Sequence, residues 1–363
     1  MTAKDHSVKK RFIVFGVFVL VMIGLYSQRA NIAATLLQRG LEAQMGANII
    51  DDFEDGLHLA LCGAGGPMPA PKASGPCVAV VAGEKLFIVD AGTDGVRNLL
   101  RMGYQPGSLQ GVFLTHFHSD HIDGLGEVAT IRWAGGEFLE PLPVYGPTGV
   151  EQIVAGFNTA YAQDFTYRHA HHGDLVAPMS AAGLKAMPFT TPPVDTLAVV
   201  YEADGLKVEA LAVNHLPVEP AVGYRFTYKG RSLLITGDTT KDANIQKFSE
   251  GIDLLVHEAL APNLVAMMHE AAKARDNALM TKITYDIPDY HASPVDAAET
   301  ARDAGVGHLL YYHIVPPLVL PGQQLLFLDG AEKIFPDYTI GEDGVSFTLP
   351  ANSDEIRLTR SGL

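Results

Sequence analysis

One stretch of the chain concentrates side chains that bind metal ions. Thr115-His116-Phe117-His118-Ser119-Asp120-His121 sets four potential ligands within six positions, directly after the apolar run GVFL at 111–114. Where a strand ends and the chain turns outward, such groups converge on one spot without a long loop to order. Among 14 histidines in 363 residues, a His-x-His-x-Asp-His match arises by chance in about one sequence in a thousand. A solvated histidine-rich loop is the alternative, but it leaves three isolated polar residues downstream unexplained. His215 closes LKVEALAVNH, Asp238 closes SLLITGD and His313 closes HLLYYH. Singly, Asp238 ahead of Thr239 reads as a helix N-cap and each histidine as a satisfied structural residue. Four strand-end positions together read as one site of imidazole and carboxylate donors. Those donors suit Zn²⁺, with Mn²⁺ or Fe²⁺ as alternatives, because ligand type alone does not fix the metal.

The elements that must position these groups are visible as short β-type runs from Leu57 onward, separated by Gly/Pro turns. They are LHLAL, VAVVA, LFIVD (86–90), GVFLT (111–115), PVYG (143–146), LKVEALAV (206–213), VGYRFTY (222–228) and SLLITGD (232–238). Helical spacing falls at 94–102 and 148–163. Beyond Asp253 the pattern predicts a strand (DLLVHEA), a long helical segment over 262–282, a helix over 294–305 and a strand over 308–313. No internal repeat or low-complexity block interrupts this order.

Composition sets the class. With 47% hydrophobic and 18% charged residues the chain can bury a large core, which argues against disorder. The formal net charge of −15 is uneven: residues 1–50 carry six basic side chains against two acidic, leaving 20 against 39, or −19, for the remainder. A body of that charge repels phosphate backbones, so nucleic acid is not expected as a partner.

Phe12 to Tyr26 holds no charge and follows Lys9, Lys10 and Arg11, the pattern of a basic segment leading into an apolar one. Fifteen residues fall short of the ~20 that span a bilayer, but the stretch extends through Ser27 and Gln28. No small-x-small cleavage site follows, so an uncleaved signal anchor is expected ahead of a cleaved peptide or a buried core helix. Its basic end would stay cytoplasmic and the body would lie beyond the membrane, in a periplasmic or other extracytoplasmic space, or secreted if the signal were cut. Ile32, Leu36, Leu37, Leu41 and Met45 share a helical face and suggest an amphipathic connector. The expected organisation is an anchor over 1–30, a connector over 31–50, a catalytic domain over 51–350 and a C-terminal tail over 351–363. Cys62 and Cys77 end one apolar run and begin the next, so adjacent antiparallel strands could join them in an oxidising compartment; two free buried thiols are the alternative.

Taken with these strand-end residues, the chain resembles the metallo-β-lactamase superfamily, and within it the ribonuclease Z and arylsulfatase-like branch. The likeness runs from Leu57 to His313 through CGAGGPMPAPKASGPC, VDAG (89–92), THFHSDHIDGL, VYGPTG, the Asn214-His215 pair, TGDT, DLLVHEA and HASPVDAAETARDAGVGHLLYYH. It implies an α+β fold, the four-layer αββα sandwich, behind an N-terminal membrane-anchor helix. It implies two metal ions: His116, His118 and His215 on the first, Asp120, His121 and His313 on the second, Asp238 bridging. Paired ions ~3.5–4 Å apart make hydroxide from a shared water near neutral pH and stabilise charge on the ester oxygen. Asp120 and His291 are then the expected catalytic residues, His291 assisting the leaving group, with helix capping at Ser293-Pro294 as its structural alternative. His257 and Glu258 would orient ligands.

The chain also departs from that branch. Ribonuclease Z carries a tRNA-gripping arm between the third metal motif and the bridging aspartate, whereas 22 residues, read as turn plus strands, separate His215 from Asp238. Lys72 stands where the branch usually has arginine, a place for an anion contact. The long stretches 161–172 and 262–290 are the expected pocket walls, with Arg168, His169, His171 and His172 available to an anionic ester. Met267, Met268, Met280, Tyr285 and Tyr290 are candidates for an adaptable rim, ordinary helix packing being the alternative. Arg168 and Tyr290 are the expected substrate contacts. The resulting expectation is a membrane-anchored dinuclear metal hydrolase acting on a small ester, arylsulfate or phosphodiester first. A lactonase or carboxylic-ester hydrolase is the alternative, and ribonuclease Z-type RNA processing or a non-catalytic metal scaffold ranks lower. A homodimer is compatible with the sequence.

Overall fold

The computed structural model describes residues 3–71, 73–136 and 138–361, with side chains from residue 10 on in the first helix. The anion contact expected at Lys72 and the side chains of Lys4 and Lys9 lie outside that description. The chain divides into two compact units, Met1–Asn48 and Ile49–Leu363.

The first unit is a single α-helix, Ala3–Gln44. Anchor and connector are therefore one element: no proline interrupts residues 29–45, and Ala30, Ala33, Ala34, Leu36 and Leu37 are strong helix formers. Its stretch Lys10–Gln44 is long and apolar enough to cross a membrane by length and composition.

The second unit is built on fifteen strands: β1 (Gly56–Gly63), β2 (Cys77–Ala82), β3 (Lys85–Val89), β4 (Gly111–Phe113), β5 (Leu142–Pro147), β6 (Leu184–Phe189), β7 (Ala198–Ala203), β8 (Leu206–Ala212), β9 (Val222–Tyr228), β10 (Arg231–Ile235), β11 (Leu254–Leu260), β12 (His308–Val315), β13 (Tyr338–Ile340), β14 (Val345–Pro350) and β15 (Arg357–Arg360). One sheet has the order β15-β14-β1-β2-β3-β4-β5-β6 and the other β13-β12-β11-β10-β9-β8-β7. The C-terminal residues thus add a strand, β15, to the first sheet.

Period-two alternation sorts the apolar runs between two faces. Leu57, Leu59, Leu61, Val78, Val80, Phe87 and Val89 point from the first sheet onto Val208, Tyr224, Phe226, Leu233, Ile235 and Tyr312 of the second. The alternate residues Ala60, Ala79, Val81, Leu86 and Ile88 face helices Gly95–Arg101, Leu125–Gly135 and Val150–His172 through Val96, Leu99, Val128 and Val154. On the far side, Leu234, Leu255 and Leu309 meet Ala297, Ala298 and Ala301 of helix Pro294–Ala304. This is an α+β sandwich of two mixed sheets with helices on both outer faces. Strands covered on both sides read as unbroken apolar runs, which is why VAVVA and SLLI lack polar alternation. The expected long helical segment is two helices, Pro262–Lys273 and Ala278–Asp286; Asp276 at φ 52° ends the first path and the Asn277 side chain caps the second.

Direction along the strands fixes where chemistry can occur. In the first sheet β3, β4, β5 and β6 are parallel. In the second, β10, β11 and β12 are parallel, and β8 shares their direction because β9 runs antiparallel to both β8 and β10. Residues following β3, β4, β8, β10, β11 and β12 can therefore meet at the carboxyl ends of both sheets, where loops are free of the core. Cys62 and Cys77 form a buried disulfide across β1 and β2, closing the 63–76 loop beside that edge.

His58 on β1 gives the fold a pH dependence. It is buried, stacks on Phe53 with ring centroids 4.4 Å apart, donates from Nε2 to the Glu54 carbonyl (2.9 Å) and accepts at Nδ1 from the Thr348 hydroxyl (3.2 Å). Burial holds its pKa below the ordinary histidine value, against the opposing pull of the Glu54 carbonyl. As pH falls through about 6.5 the unfolded chain takes up a proton that the folded protein refuses, so stability declines on the acid side. Urea unfolding of the metal-free protein is expected to show a midpoint that drops between about pH 7.5 and about pH 5.5, with a smaller drop in His58→Gln.

Candidate metal centre

The site is assembled from strand ends. Thr115 and His116 follow β4, and the short helix Ser119–Ile122 carries Asp120 and His121. His215 follows β8, Asp238 follows β10, and His313 lies within β12. His313 is aimed by a bulge: Glu258 pairs with Tyr312 and Ala259 with Ile314, so His313 has no partner opposite and sits at φ 46°. An extra residue of this kind re-aims a side chain at a sheet's edge. Two glycines let the backbone close in. A Cβ on Gly66 would come within 2.9 Å of the His313 ring, and one on Gly237, at φ 63°, within 2.8 Å of Thr115 Cβ.

Asp238 is the centre of the cluster. Its Oδ2 lies 3.4 Å from Nε2 of His121 and of His313, 3.8 Å from Nε2 of His116 and 3.9 Å from Nε2 of His215. His118 Nδ1 is 3.0 Å from His116 Nε2, and Asp120 Oδ2 is 3.2 Å from His313 Nε2. Ligand atoms of His116, His118, His215 and Asp238 fall within 4.8 Å of one another, and those of Asp120, His121 and His313 do likewise. The same holds for Asp238, His291 and His313.

The rings differ in protonation: burial pulls the pKa of His121 down, but Asp238 and Asp90 outweigh it and hold it well above its ordinary value. Burial pushes the pKa of His116 well below its ordinary value and lowers those of His118 and His215, so these rings present lone pairs. Burial alone would raise Asp238, but His313 and His121 hold it well below the usual carboxylate range. His215 donates from Nδ1 to the Tyr290 carbonyl (2.8 Å) and His121 from Nδ1 to Asp90 (2.8 Å), turning both Nε2 atoms inward. His121 Nε2, His215 Nε2, Asp238 Oδ1 and His313 Nδ1 are buried without a hydrogen-bond partner. Leaving such atoms unsatisfied costs about 1–3 kcal/mol each. Nitrogen and oxygen donors facing one spot offset that cost when they ligate divalent ions, so the donor set fits a dinuclear site.

Around the cluster lies a second tier of contacts. Glu258, fully buried, accepts at Oε1 from Thr239 N–H (3.0 Å), Ala292 N–H (3.2 Å) and His291 Nδ1–H (2.9 Å). Burial pulls His291 down, but the charge and hydrogen bond of Glu258 outweigh it and raise its pKa to about 9. Ser293 forms a capping box with Asp296 and takes the helix-capping task itself. His257 is buried and turned onto the Glu258 carbonyl. Asp90 and Thr115 are the residues that strand-end reasoning left without a role. Asp90 ends LFIVD at φ 59°, and that left-handed backbone on a non-glycine residue is visible only in three dimensions.

Residues 71–279 match the family model for the metallo-beta-lactamase superfamily. The chain belongs to the metallo-β-lactamase superfamily. It is 35% identical over 269 residues to ribonuclease Z of Mycobacterium avium (strain 104), covering 72% of this chain and 88% of that protein. It is 33% identical over 294 residues to ribonuclease Z of Mycobacterium sp. (strain KMS), covering 79% and 94%. Among solved structures, the metallo-beta-lactamase fold protein YhfI from Bacillus subtilis shares the fold at 22% identity and a TM-score of 0.57, covering 82% of this chain and all of that one.

Membership in the superfamily corrects one expectation. Nucleic acid was excluded as a partner on net charge, yet relatives at 33–35% identity over most of their length are ribonucleases Z. Net charge sums over a whole surface, whereas a substrate meets the local field of a cleft. The other expected contacts are placed as follows. The Tyr290 ring lies 5.0 Å from that of His215, beside the cluster. Arg168 is on helix Val150–His172, where Nε pairs with Asp164 (2.6 Å).

Metal removal tests the cluster directly. Chelator-treated protein is expected to melt at a lower temperature than protein in zinc, and restored zinc at a thousandfold excess over its Kd to return about 4 kcal/mol per site. His215→Ala is expected to shrink that zinc-dependent shift in differential scanning fluorimetry.

Proposed function

We propose that the protein is a two-metal phosphodiesterase with His116, His118 and His215 on one ion, Asp120, His121 and His313 on the other, and Asp238 between them. The observation that carries this reading is the pair of ligand groups meeting at Asp238 in a superfamily of metal-dependent hydrolases. Zinc is the proposed ion, because imidazoles outnumber carboxylates in the donor set. When bound, the pair supplies water activation near neutral pH and charge neutralisation at the phosphoryl oxygens.

The chain's own groups do the rest. His291, with Nδ1 committed to Glu258, keeps Nε2 for the departing oxygen and carries the proton it needs. Asp120 is more open than Asp238, with 13% of its side chain exposed against 2%, and is the proposed acceptor of the proton from attacking water. Tyr290, beside the cluster, and Arg168, on helix Val150–His172, are the proposed substrate contacts. A second reading, cleavage of an RNA phosphodiester, is favoured by the ribonuclease Z relatives. It uses the same bond and the same residues.

A panel of aryl phosphodiester, aryl sulfate, acyl lactone and RNA oligonucleotide substrates, each with zinc or manganese, tests the reaction. Turnover is expected on a phosphodiester, with kcat reduced about 10²–10⁴-fold in His291→Ala and KM little changed. Sulfate or lactone turnover without phosphodiester cleavage would defeat the reading, as would His291→Ala at the wild-type rate.

The proposed location is beyond a membrane, tethered by the N-terminal helix. Three features support it: the span Lys10–Gln44, the basic residues Lys10 and Arg11 at its start, and a disulfide that persists in oxidising compartments. An alkaline phosphatase reporter fused after residue 48 is expected to be active, and inactivity of that fusion would place the body in the cytoplasm.

A further inference from the structure

We infer that Thr115 is a positioning residue that ties the two halves of the metal centre together, letting the single buried carboxylate of Asp90 fix one histidine ligand on each side. The inference rests on the two-metal reading above.

Asp90 and Thr115 are both buried to 1% exposure. Asp90 Oδ1 accepts from Thr115 N–H at 2.8 Å. Its Oδ2 accepts from the Thr115 hydroxyl and from His121 Nδ1–H, each at 2.8 Å. A hydroxyl has one proton, and here it is committed to Asp90. Toward His116 Nδ1, 3.1 Å away, Thr115 Oγ1 can therefore only accept. That makes Nδ1 of His116 the protonated nitrogen and leaves the lone pair of Nε2 facing the cluster, 3.0 Å from His118 Nδ1 and 3.8 Å from Asp238 Oδ2. His121 is fixed in the same tautomer by the same carboxylate. One histidine from the His116-His118-His215 group and one from the Asp120-His121-His313 group thus share an anchor.

The hydroxyl cannot turn away cheaply. The Thr115 methyl and Cβ lie against Gly237, where a Cβ would meet them at 3.0 and 2.8 Å, and the Thr115 carbonyl accepts from Val222 N–H at 3.0 Å. Gly237 precedes Asp238, so the same contact seats the bridging residue's turn on Thr115. The opposite tautomer of His116 would aim an N–H at the ion and leave Nδ1 facing an oxygen with no proton to give.

The test is titration of metal-free full-length protein with cobalt(II) against a competing chelator, read by the absorption of each bound equivalent. Thr115→Val keeps the shape and removes only the hydroxyl. It is expected to weaken one of the two equivalents about 10–100-fold while the other holds, and Thr115→Ser to restore it. Asp90→Asn is expected to weaken both. Equal weakening of both equivalents in Thr115→Val, no weakening, or failure of serine to restore would overturn the inference. Circular dichroism of the metal-free forms separates these results from loss of fold. Should the valine variant not fold, nitrogen NMR of metal-free wild type decides: a proton on Nδ1 of both His116 and His121 supports the inference, and an unprotonated Nδ1 on either overturns it. A wild type that binds fewer than two cobalt ions defeats the two-metal reading itself, whereas two equivalents with no loss in Thr115→Val defeats only the role of Thr115.

Discussion

A fully buried carboxylate with four imidazole nitrogens between 3.4 and 3.9 Å away is a grouping that a bare protein interior does not favour. Burial strips His116, His118 and His215 of their tendency to take up protons, so lone pairs face one another across a few ångströms. Only a cation makes all of those contacts favourable at once. The surrounding structure holds these donors together.

That restraint is visible in the backbone and in the carboxylates behind it. His313 occupies a bulge at positive φ, and Asp90 sits in the left-handed region at the end of β3; neither residue is glycine. Conformations of this kind cost of order 1–3 kcal/mol and persist where surrounding contacts over-determine them. Asp90 is held by its own N–H on the Phe113 carbonyl as well as by Thr115 and His121. Glu258 plays the matching part on the other sheet, joining Thr239, His291 and Ala292. Each sheet therefore contributes one buried acid whose hydrogen bonds point its neighbours at Asp238 and its ligands.

How far the sequence reveals this depends on whether a feature is local. The candidate ligands are legible because His116-x-His118-x-Asp120-His121, His215, Asp238 and His313 stand at the ends of apolar runs, and parallel strands deliver their carboxyl ends to one edge. The two-sheet architecture entered through the family resemblance, and the unbroken apolar runs VAVVA and SLLI agree with it as strands covered on both faces. Asp90 was not legible as a support: VDAG looks like any strand end, and its partners lie 25 and 31 residues away at Thr115 and His121. The bulge at His313 is equally hidden, because pairing with β11 decides it. The segment 262–282 kept an apolar helical spacing through Asp276-Asn277, so only turn chemistry signals the break. His291 was ambiguous from sequence between capping and chemistry; Ser293 and Asp296 form the cap, and His291 turns to Glu258 instead.

Charge was the least dependable guide, and the reason is geometric. A cleft of about 1110 Å³ opens beside Asp120, walled by the 64–75 loop and by residues 317–321. Met68, Val319 and Leu320 are among its apolar lining, and its charged lining is Asp94, Asp120, Asp123, Glu342 and Asp343 with Arg101 and Arg360. Both walls are connections between strands, so their composition can change without disturbing either sheet or the metal ligands. The disulfide and the acceptor Asp343, which takes N–H groups from Ala64 and Ser74, pin the base of the first wall rather than its surface. A balance of −19 spread over more than three hundred residues does not decide what one cleft binds, and the expectation against nucleic acid drawn from it is the one that the ribonuclease Z relatives overturn.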